Sequence, residues 1–172
     1  FDKMFPWAGV RRCILNPDGG RVGYLDGNNS NLWEDGTEVD WAEVESLGQN
    51  CVVEIPKFHS CKKVVDDERI FGVSEKPTQT DKIDIDEWRI DPAFYRARNV
   101  LCTDQSGEVE EVDFRYAPAF KGFVDAQGRL RSLPNKSPTV SKTIGQFRTH
   151  AANNGNGWGQ FDFNLLTAIQ ML

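Results

Sequence analysis

One segment of this 172-residue chain, 153–160 (NNGNGWGQ), surrounds a tryptophan with amides and glycines. Trp158 offers an indole face on which a pyranose ring can stack, and Asn154 and Asn156 can exchange hydrogen bonds with sugar hydroxyls. These residues are therefore candidates for a saccharide site. The structural alternative, which we favour, is that the Asn-Gly pairs turn the chain while Trp158 fills the core between two helices.

A second loop, 26–31 (DGNNSN), places oxygen-bearing side chains at alternate positions, and Asn28 is its candidate ligand-binding residue. The pattern resembles a calcium loop. However, Asn31 stands where an EF-hand needs glycine, and Thr37 stands where it needs a bidentate glutamate. Turns in which Asn and Asp side chains bond the backbone explain the same residues. We therefore predict no metal site here.

Trp33 follows this loop and is flanked by Glu34 and Asp35, and Trp41 follows Asp40. Exposed tryptophans are typical anchors for a binding partner. Core packing explains both residues equally well. Trp33 is therefore a candidate binding residue with that alternative open.

Catalytic groups are weakly indicated. The acidic segments 81–87 and 108–111 could supply the carboxylate pair of a glycosidase, but solvated strand faces carry such charges more commonly. His59, Ser60 and Cys61 are adjacent, and neighbours on a strand point to opposite faces, so they cannot form a catalytic pair. We predict that the protein is not an enzyme, with a surface-polysaccharide hydrolase as the minor alternative.

Composition predicts a single folded domain over residues 1–172. The chain is 39% hydrophobic and contains 11 Phe and 5 Trp, which is too aromatic for a disordered protein. Its net charge of −6 disfavours nucleic acid as a partner, because phosphate binding needs a basic face. No apolar run approaches the roughly 20 residues of a membrane helix, so we expect no membrane contact.

The four cysteines, Cys13, Cys51, Cys61 and Cys102, include no C-x-x-C pair, and the chain has only two histidines. A structural zinc site is therefore not expected, and no motif indicates a cofactor. Four cysteines suffice for two disulfides in an oxidising compartment. Cys51 and Cys102 lie in apolar stretches, where a buried free thiol is the more common state.

Short strands separated by turns fill most of the chain. Residues 10–15 and 21–25 flank a Pro-Asp-Gly-Gly turn and predict a hairpin. The β-branched segment 51–59 predicts a strand, and Pro56, which lacks an N–H, makes it an edge or bulged strand. Alternation predicts a strand over 111–116, with Val112, Phe114 and Tyr116 on one face. Two further strands are predicted over 120–124 and 129–133. Residues 64–91 are charged and weakly periodic, and 81–87 within them alternate and fit a strand or an extended loop.

Two helices are predicted late in the chain, which makes the fold α+β and strand-rich. Thr143 and Gln146 fit a capping box, followed by an apolar stripe of Ile144, Phe147 and Ala151. A second helix begins near Asp162. Its stripe of Phe161, Leu165, Ile169 and Leu172 is still running where the chain stops, so we expect a domain that is incomplete at its C-terminus or an end that packs on a partner.

Five segments together, 1–13, 25–36, 52–58, 91–94 and 145–172, resemble, in this order, a family of tailed-phage and prophage virion surface proteins. These are usually described as tail-fibre or structural, collagen-like proteins. The resemblance covers the chain nearly end to end and departs mainly at 64–87 and 99–107. Family members usually continue beyond the second helix.

The resemblance implies a C-type-lectin-like or formylglycine-generating-enzyme-like domain that displays loops for attachment to a host-surface glycan or protein. It also implies a virion location, other virion subunits as partners, and a homo-oligomer, by analogy a trimer. The catalytic cysteines and calcium-lectin signatures of such domains are absent from this sequence. A purely structural or decoration protein of the capsid or tail is the alternative function.

Overall fold

The structure is a computed structural model that describes residues 4–97 and 109–172. It is a mixed α+β fold of antiparallel sheets, which confirms the predicted class, while the lectin-like assignment stays a prediction. The helices are α1 (Trp41–Ser46), α2 (Ile144–Ala152) and α3 (Phe163–Met171). The strands are β1 (Arg11–Leu15), β2 (Arg21–Tyr24), β3 (Asn50–Pro56), β4 (His59–Val65), β5 (Glu68–Ser74), β6 (Arg89–Ile90), β7 (Tyr95–Ala97), β8 (Val109–Glu111), β9 (Phe114–Pro118), β10 (Phe123–Val124) and β11 (Leu130–Arg131).

The central sheet has the strand order β2-β1-β3-β9, and each neighbouring pair is antiparallel. Both faces of this sheet are covered. Ile14 and Cys51 belong to a core cluster on one face, whereas Cys13 and Val52 belong to a cluster on the other. β3 is therefore buried on both faces, as expected for a strand inside a covered sheet.

The prediction that Pro56 makes β3 an edge or bulged strand is wrong. β3 pairs with β1 on one side and β9 on the other. The β1 ladder ends where Arg11 pairs with Glu54, so Pro56 lies beyond it. Its missing N–H therefore removes no hydrogen bond from that ladder.

The strand predicted over 111–116 is divided into β8 and β9, which pair with β7 and β3 respectively. The N–H of Val112 bonds to the carbonyl of Phe94 at 2.9 Å, and the carbonyl of Asp113 accepts from Lys57 at 2.8 Å. The chain thus changes partner strand at these two residues. Phe114 is consequently 42% exposed and does not belong to the core.

Residues 64–91 contribute to a small antiparallel sheet, and 81–87, predicted as a strand or an extended loop, form no strand. β4 and β5 make a hairpin, and β6 adds to the other edge of β4. The turn of the hairpin contains Asp66 and Asp67, both with positive φ, which aspartate tolerates better than most residues. A short 3₁₀ helix, Ile85–Glu87, occupies the acidic segment.

A capping box begins α2 as predicted, and α3 begins where it was predicted, with a side-chain cap from Asp162. Thr143 and Gln146 exchange bonds, with Thr143 Oγ1 accepting from the Gln146 N–H at 3.2 Å and Gln146 Oε1 accepting from the Thr143 N–H at 2.9 Å. Asp162 Oδ1 accepts from the N–H of Leu165 at 2.7 Å. Neither these helices nor any other among the described residues is long and apolar enough to cross a membrane.

The helices bury less of their predicted stripes than expected. In α2, Ala151 is buried, but Ile144 is 63% exposed, because the helix packs against β11 mainly through its C-terminal end. In α3, Leu165 packs into the cluster of Ile55 and Phe94, and Leu172 lies partly buried beside it. The indole N–H of Trp7 also donates to the Leu172 carbonyl.

The packing of α3 predicts a contrast between two adjacent leucines. Leu165 is 2% exposed and Leu166 is 42% exposed. Leu165→Ala should lower the free energy of unfolding by about 2–4 kcal/mol through the cavity that it leaves. Leu166→Ala should change it by less than about 0.5 kcal/mol. Denaturant unfolding measures both, and equal effects would show that α3 is docked by another face.

Three cysteines, Cys13, Cys51 and Cys61, are free and buried, which confirms the prediction for Cys51, while Cys102 lies outside the described residues. Burial raises the pKa of the Cys13 and Cys51 thiols from 9.0 to about 12. The unfolded chain therefore loses these protons at lower pH than the folded protein.

Stability should consequently fall as pH rises from about 9 toward 12 through these two pKa values. We expect the melting temperature to drop steeply across that interval. In Cys51→Ala, the melting temperature, expressed relative to that variant's melting temperature at neutral pH, should fall less steeply with pH than in the wild type. A variant with the unaltered slope would contradict this assignment.

Candidate functional site

An open groove runs along the outer edge of the central sheet. It has a volume of about 590 Å³. Its floor is β2, and its wall is the turn that follows the 26–31 loop. Two aromatic rings, two carboxylates and a hydroxyl come together there. The lining residues are Val22, Gly23, Tyr24, Trp33, Glu34, Asp35 and Thr37.

The wall of the groove is a tight turn from Trp33 to Thr37. The N–H of Trp33 bonds to the carbonyl of Thr37 at 2.8 Å, and the N–H of Gly36 bonds to the carbonyl of Trp33 at 2.9 Å. Asp35 Oδ1 accepts from both the N–H (2.9 Å) and the hydroxyl (2.6 Å) of Thr37. Gly36 has φ +86°, which favours glycine at this position. The turn is thus held by its own side chains and backbone.

Two contacts fasten this turn to β2. The N–H of Glu34 bonds to the carbonyl of Tyr24 at 3.0 Å, which extends the sheet by one short pairing. The indole of Trp33 lies against the backbone at Gly23, where an added Cβ would stand 2.9 Å from a ring carbon. Only glycine leaves room for the ring in this position. The position of the Trp33 ring therefore depends on Gly23, which has no side chain.

A β-bulge shapes the floor of the groove. Ile14 pairs with Gly23 and Leu15 pairs with Arg21, so Val22 has no partner in β1. Bulges redirect side chains and increase local twist. Val22 is accordingly 45% exposed and lies in the groove.

The ring of Tyr24 is fixed from several sides. Its hydroxyl donates to Glu54 at 2.6 Å. The guanidinium carbons of Arg11 and Arg21 lie 3.5 Å and 4.4 Å from its ring centroid. Burial and the hydrogen bond to Glu54 raise the pKa of the Tyr24 phenol. The groove therefore presents a neutral and immobile tyrosine.

Glu54 is the buried carboxylate beneath this floor. Its side chain is in the middle of β3 and only 2% exposed. In addition to Tyr24, it accepts from the hydroxyl of Tyr116 at 3.0 Å and from Arg21 at 2.7 Å. Burial, followed by the charge of Glu54, raises the pKa of the Tyr116 phenol. The carboxylate thus links β2, β3 and β9 below the groove.

The two carboxylates at the rim of the groove differ in whether a cation pairs with them. Arg11 pairs with Glu34 at 2.5 Å, which neutralises that carboxylate. Asp35 pairs with no cation among the described residues, and its bonds from Thr37 hold the pKa of its carboxyl below the usual value. The arrangement can stack a flat or ring-shaped ligand on an aromatic face and bond its polar groups through carboxylates and a hydroxyl.

Of the residues predicted from sequence, only Trp33 lines this groove. It also packs against the core cluster of Ile14 and Cys51, so it is partly core and partly wall. Asn28 is exposed on the neighbouring loop and does not line the groove.

The loop that carries Asn28 is organised by an arginine. Asp26 Oδ1 accepts from the N–H groups of Asn28 (2.9 Å) and Asn29 (2.8 Å), as the Asx-turn interpretation predicts. Arg12 donates to the carbonyls of Asp26 (3.2 Å) and Gly27 (2.6 Å). A guanidinium therefore bonds two backbone carbonyls of this loop. Among the described residues, no group of three or more His, Cys, Asp or Glu is arranged to hold a metal.

Trp158 covers the sheet face formed by Cys13, Leu15 and Val52 and is half-buried there. Its indole N–H donates to the carbonyl of Pro17, in the turn between β1 and β2, at 2.7 Å. This geometry favours the structural role over a stacking platform. Asn154 is 4% exposed and donates to the carbonyl of Leu130 at 2.7 Å.

Asn154 also accepts from the Asn50 amide at 3.3 Å, so its side chain is committed to joining α2 to the sheets. Asn156 is exposed and lies outside the groove. The saccharide site predicted around Trp158 therefore has one exposed amide, a half-buried indole and a buried amide. Its role in binding stays a prediction.

The acidic segments are used in local contacts. Glu87 caps the 3₁₀ helix at Asp84 and pairs with Lys63 at 2.9 Å. Glu111 pairs with Lys57 at 2.7 Å, whereas Glu108 lies outside the described residues. Tyr24, Glu34, Asp35 and Thr37 were not predicted. The Asp-Gly-Thr order signals the turn, but nothing local to the sequence places it beside Tyr24.

Two substitutions separate the roles of Trp158. Trp158→Ala should lower the free energy of unfolding by about 3–4 kcal/mol, because it removes the cover of the Cys13 face. Trp158→Phe keeps most of the apolar contact and should cost only about 1 kcal/mol for the lost hydrogen bond. Chemical denaturation measures both. A stable Trp158→Ala protein that no longer binds host cells would instead identify this loop as the ligand site.

No protein-family model matches the chain, and no curated protein or solved structure is significantly similar to it.

Proposed function

We propose that this chain is a receptor-binding domain on the surface of a phage virion, and that it attaches to a host-surface saccharide through the groove of Trp33 and Tyr24. The observation that carries the proposal is the placement of Trp33. Its ring stands against Gly23 at an open groove, beside two carboxyl groups and a hydroxyl. Saccharide sites use this combination of an aromatic face with fixed polar groups.

The rigidity of the groove supports this function. The Asx turn at Asp35, the pairing of Glu34 with Tyr24 and the bonds of Tyr24 to Glu54 fix the wall and floor before a ligand arrives. A site that is already ordered loses little conformational entropy on binding. A shallow groove nevertheless gives weak affinity at each copy. Display of several copies on one particle would multiply it.

The virion setting is supported by the resemblance of five segments to tailed-phage and prophage surface proteins. One of them, 25–36, contains most of the groove wall. In this setting the partners are other virion subunits, with a homo-oligomer of the chain, by analogy a trimer, assembled in the host cytoplasm. The loops would face the host glycan or, alternatively, a host protein.

A structural role in the capsid or tail is the second candidate, and exposed apolar side chains favour it. On and beside α3, Phe163 is 79% exposed, Leu166 42% and Phe161 40%. Phe161 also lines an apolar cleft of about 690 Å³ with Trp7 and Leu172. These surfaces suit contact with a neighbouring subunit. They share no lining residue with the groove, so the same chain can assemble and attach.

Attachment can be tested by displaying the domain on beads at high density and measuring its binding to host cells and to purified surface polysaccharide. Gly23→Ala should reduce binding at least fivefold, because the added Cβ pushes the Trp33 ring from its position. Trp33→Ala should reduce it roughly tenfold. Thermal unfolding of each variant separates lost binding from lost folding.

Asn28→Ala is the matched control, since it changes an exposed residue on the adjacent loop and should leave binding unaltered. Absence of binding by the wild-type domain at high density would contradict the attachment function and favour the structural one. Binding that survives both Gly23→Ala and Trp33→Ala would place the site elsewhere on the domain.

A further inference from the structure

The charged side chains around the groove differ in how many bonding partners they already have. This difference affects which ligand the groove can bind. Three arginines lie close to the groove, and each is already engaged. Arg11 pairs with Glu34 and stacks on Tyr24, Arg21 bonds Glu54, and Arg12 bonds the carbonyls of the 26–31 loop. None of these guanidinium groups is available for an anionic ligand without breaking an existing contact.

Asp35 differs from these groups. Its Oδ1 accepts two bonds from Thr37, whereas no hydrogen bond or ion pair of the described residues reaches its Oδ2. The Asx turn aims this carboxylate at the rim of the groove, beside Trp33. The groove therefore combines a stacking surface with one oriented and uncompensated negative charge.

We infer that the groove, if it binds saccharide as proposed above, prefers a sugar that carries a protonated amine, with the ammonium group on Asp35 and the ring against Trp33. An ammonium group gives Asp35 a charge-assisted hydrogen bond. Aromatic faces also attract cations. The carboxylate of an acidic sugar would instead meet Asp35 as a like charge and find no free arginine.

Acetylation of the amine is the most selective chemical change for a test, because it removes the charge and leaves the sugar ring intact. The probes are oligomers of glucosamine, oligomers of N-acetylglucosamine and oligogalacturonate of the same length. At pH 6 and low salt, the domain should bind the glucosamine oligomer about three- to fivefold more tightly than the acetylated one, the range expected for an exposed charge pair. Oligogalacturonate should bind most weakly.

The variant Asp35→Asn removes the charge but keeps a side-chain oxygen for the Thr37 bonds. It should abolish the preference for glucosamine while leaving the affinity for the acetylated oligomer within about twofold. High salt should weaken the preference in the wild type, since exposed charges are screened. Isothermal titration or bead binding measures all of these ratios.

Asp18→Asn is the matched control. Asp18 is also exposed and also accepts a backbone bond in a turn, from Gly20 at 2.8 Å, but it lies outside the groove. It changes the net charge of the protein by the same amount. The preference for glucosamine should persist in Asp18→Asn, and its equal loss in both variants would assign the effect to overall charge and overturn the inference.

The possible failures are distinguishable. If none of the three oligomers binds, the saccharide-binding function itself is contradicted for these sugars, together with the preference. If the neutral oligomer binds as tightly as the glucosamine oligomer, or oligogalacturonate binds best, the amine preference is overturned and the attachment function stands.

Discussion

Both the sheet and the groove depend on the hydrogen bonds that the carboxylate of Glu54 accepts. It lies in the central strand, 1% exposed, and is bonded by Arg21 and Tyr24 from β2 and by Tyr116 from β9. A buried charge costs several kcal/mol unless its oxygens are well bonded, so these three partners must stay in place together. The Tyr24 ring at the groove is thereby held by the same carboxylate that joins the strands of the core.

The two faces of the central sheet are covered by distant parts of the chain. On the face of Ile55 and Ala117 the cover is α3, and on the face of Cys13 it is the loop of Trp158. That loop approaches the first hairpin so closely that a Cβ at Gly155 would stand 2.7 Å from the Pro17 carbonyl. The late helices and the early strands are therefore interdependent, whereas Cys61, Ile83 and Trp88 form a separate small cluster beside β4 and β5.

The features that the sequence predicts well are local ones. The hairpin of β1 and β2, the capping box at Thr143 and the start of α3 near Asp162 depend on residues within a few positions of one another, and they appear as expected. Trp33 was singled out from the sequence, but the groove was not predicted. Strand pairing is what brings Tyr24 to the groove and Glu54 beneath it, and the local sequence does not indicate that pairing. Ile144 shows the opposite error. Its helical spacing indicated burial, but the packing of the described residues leaves its side chain 63% exposed at the N-terminal end of α2.

The turn that forms the groove wall also protects an open edge. β2 is an outer strand, and the bond from Glu34 to the Tyr24 carbonyl blocks part of its free side, while Pro118 lacks an N–H on the opposite outer strand. Association with strands of other chains is thereby discouraged at both edges. Within the turn, Trp33 and Gly36 maintain the shape, whereas Glu34 and Asp35 project into solvent. If the groove binds a ligand as proposed, substitutions at these two exposed positions can therefore change the ligand preference while the edge remains covered.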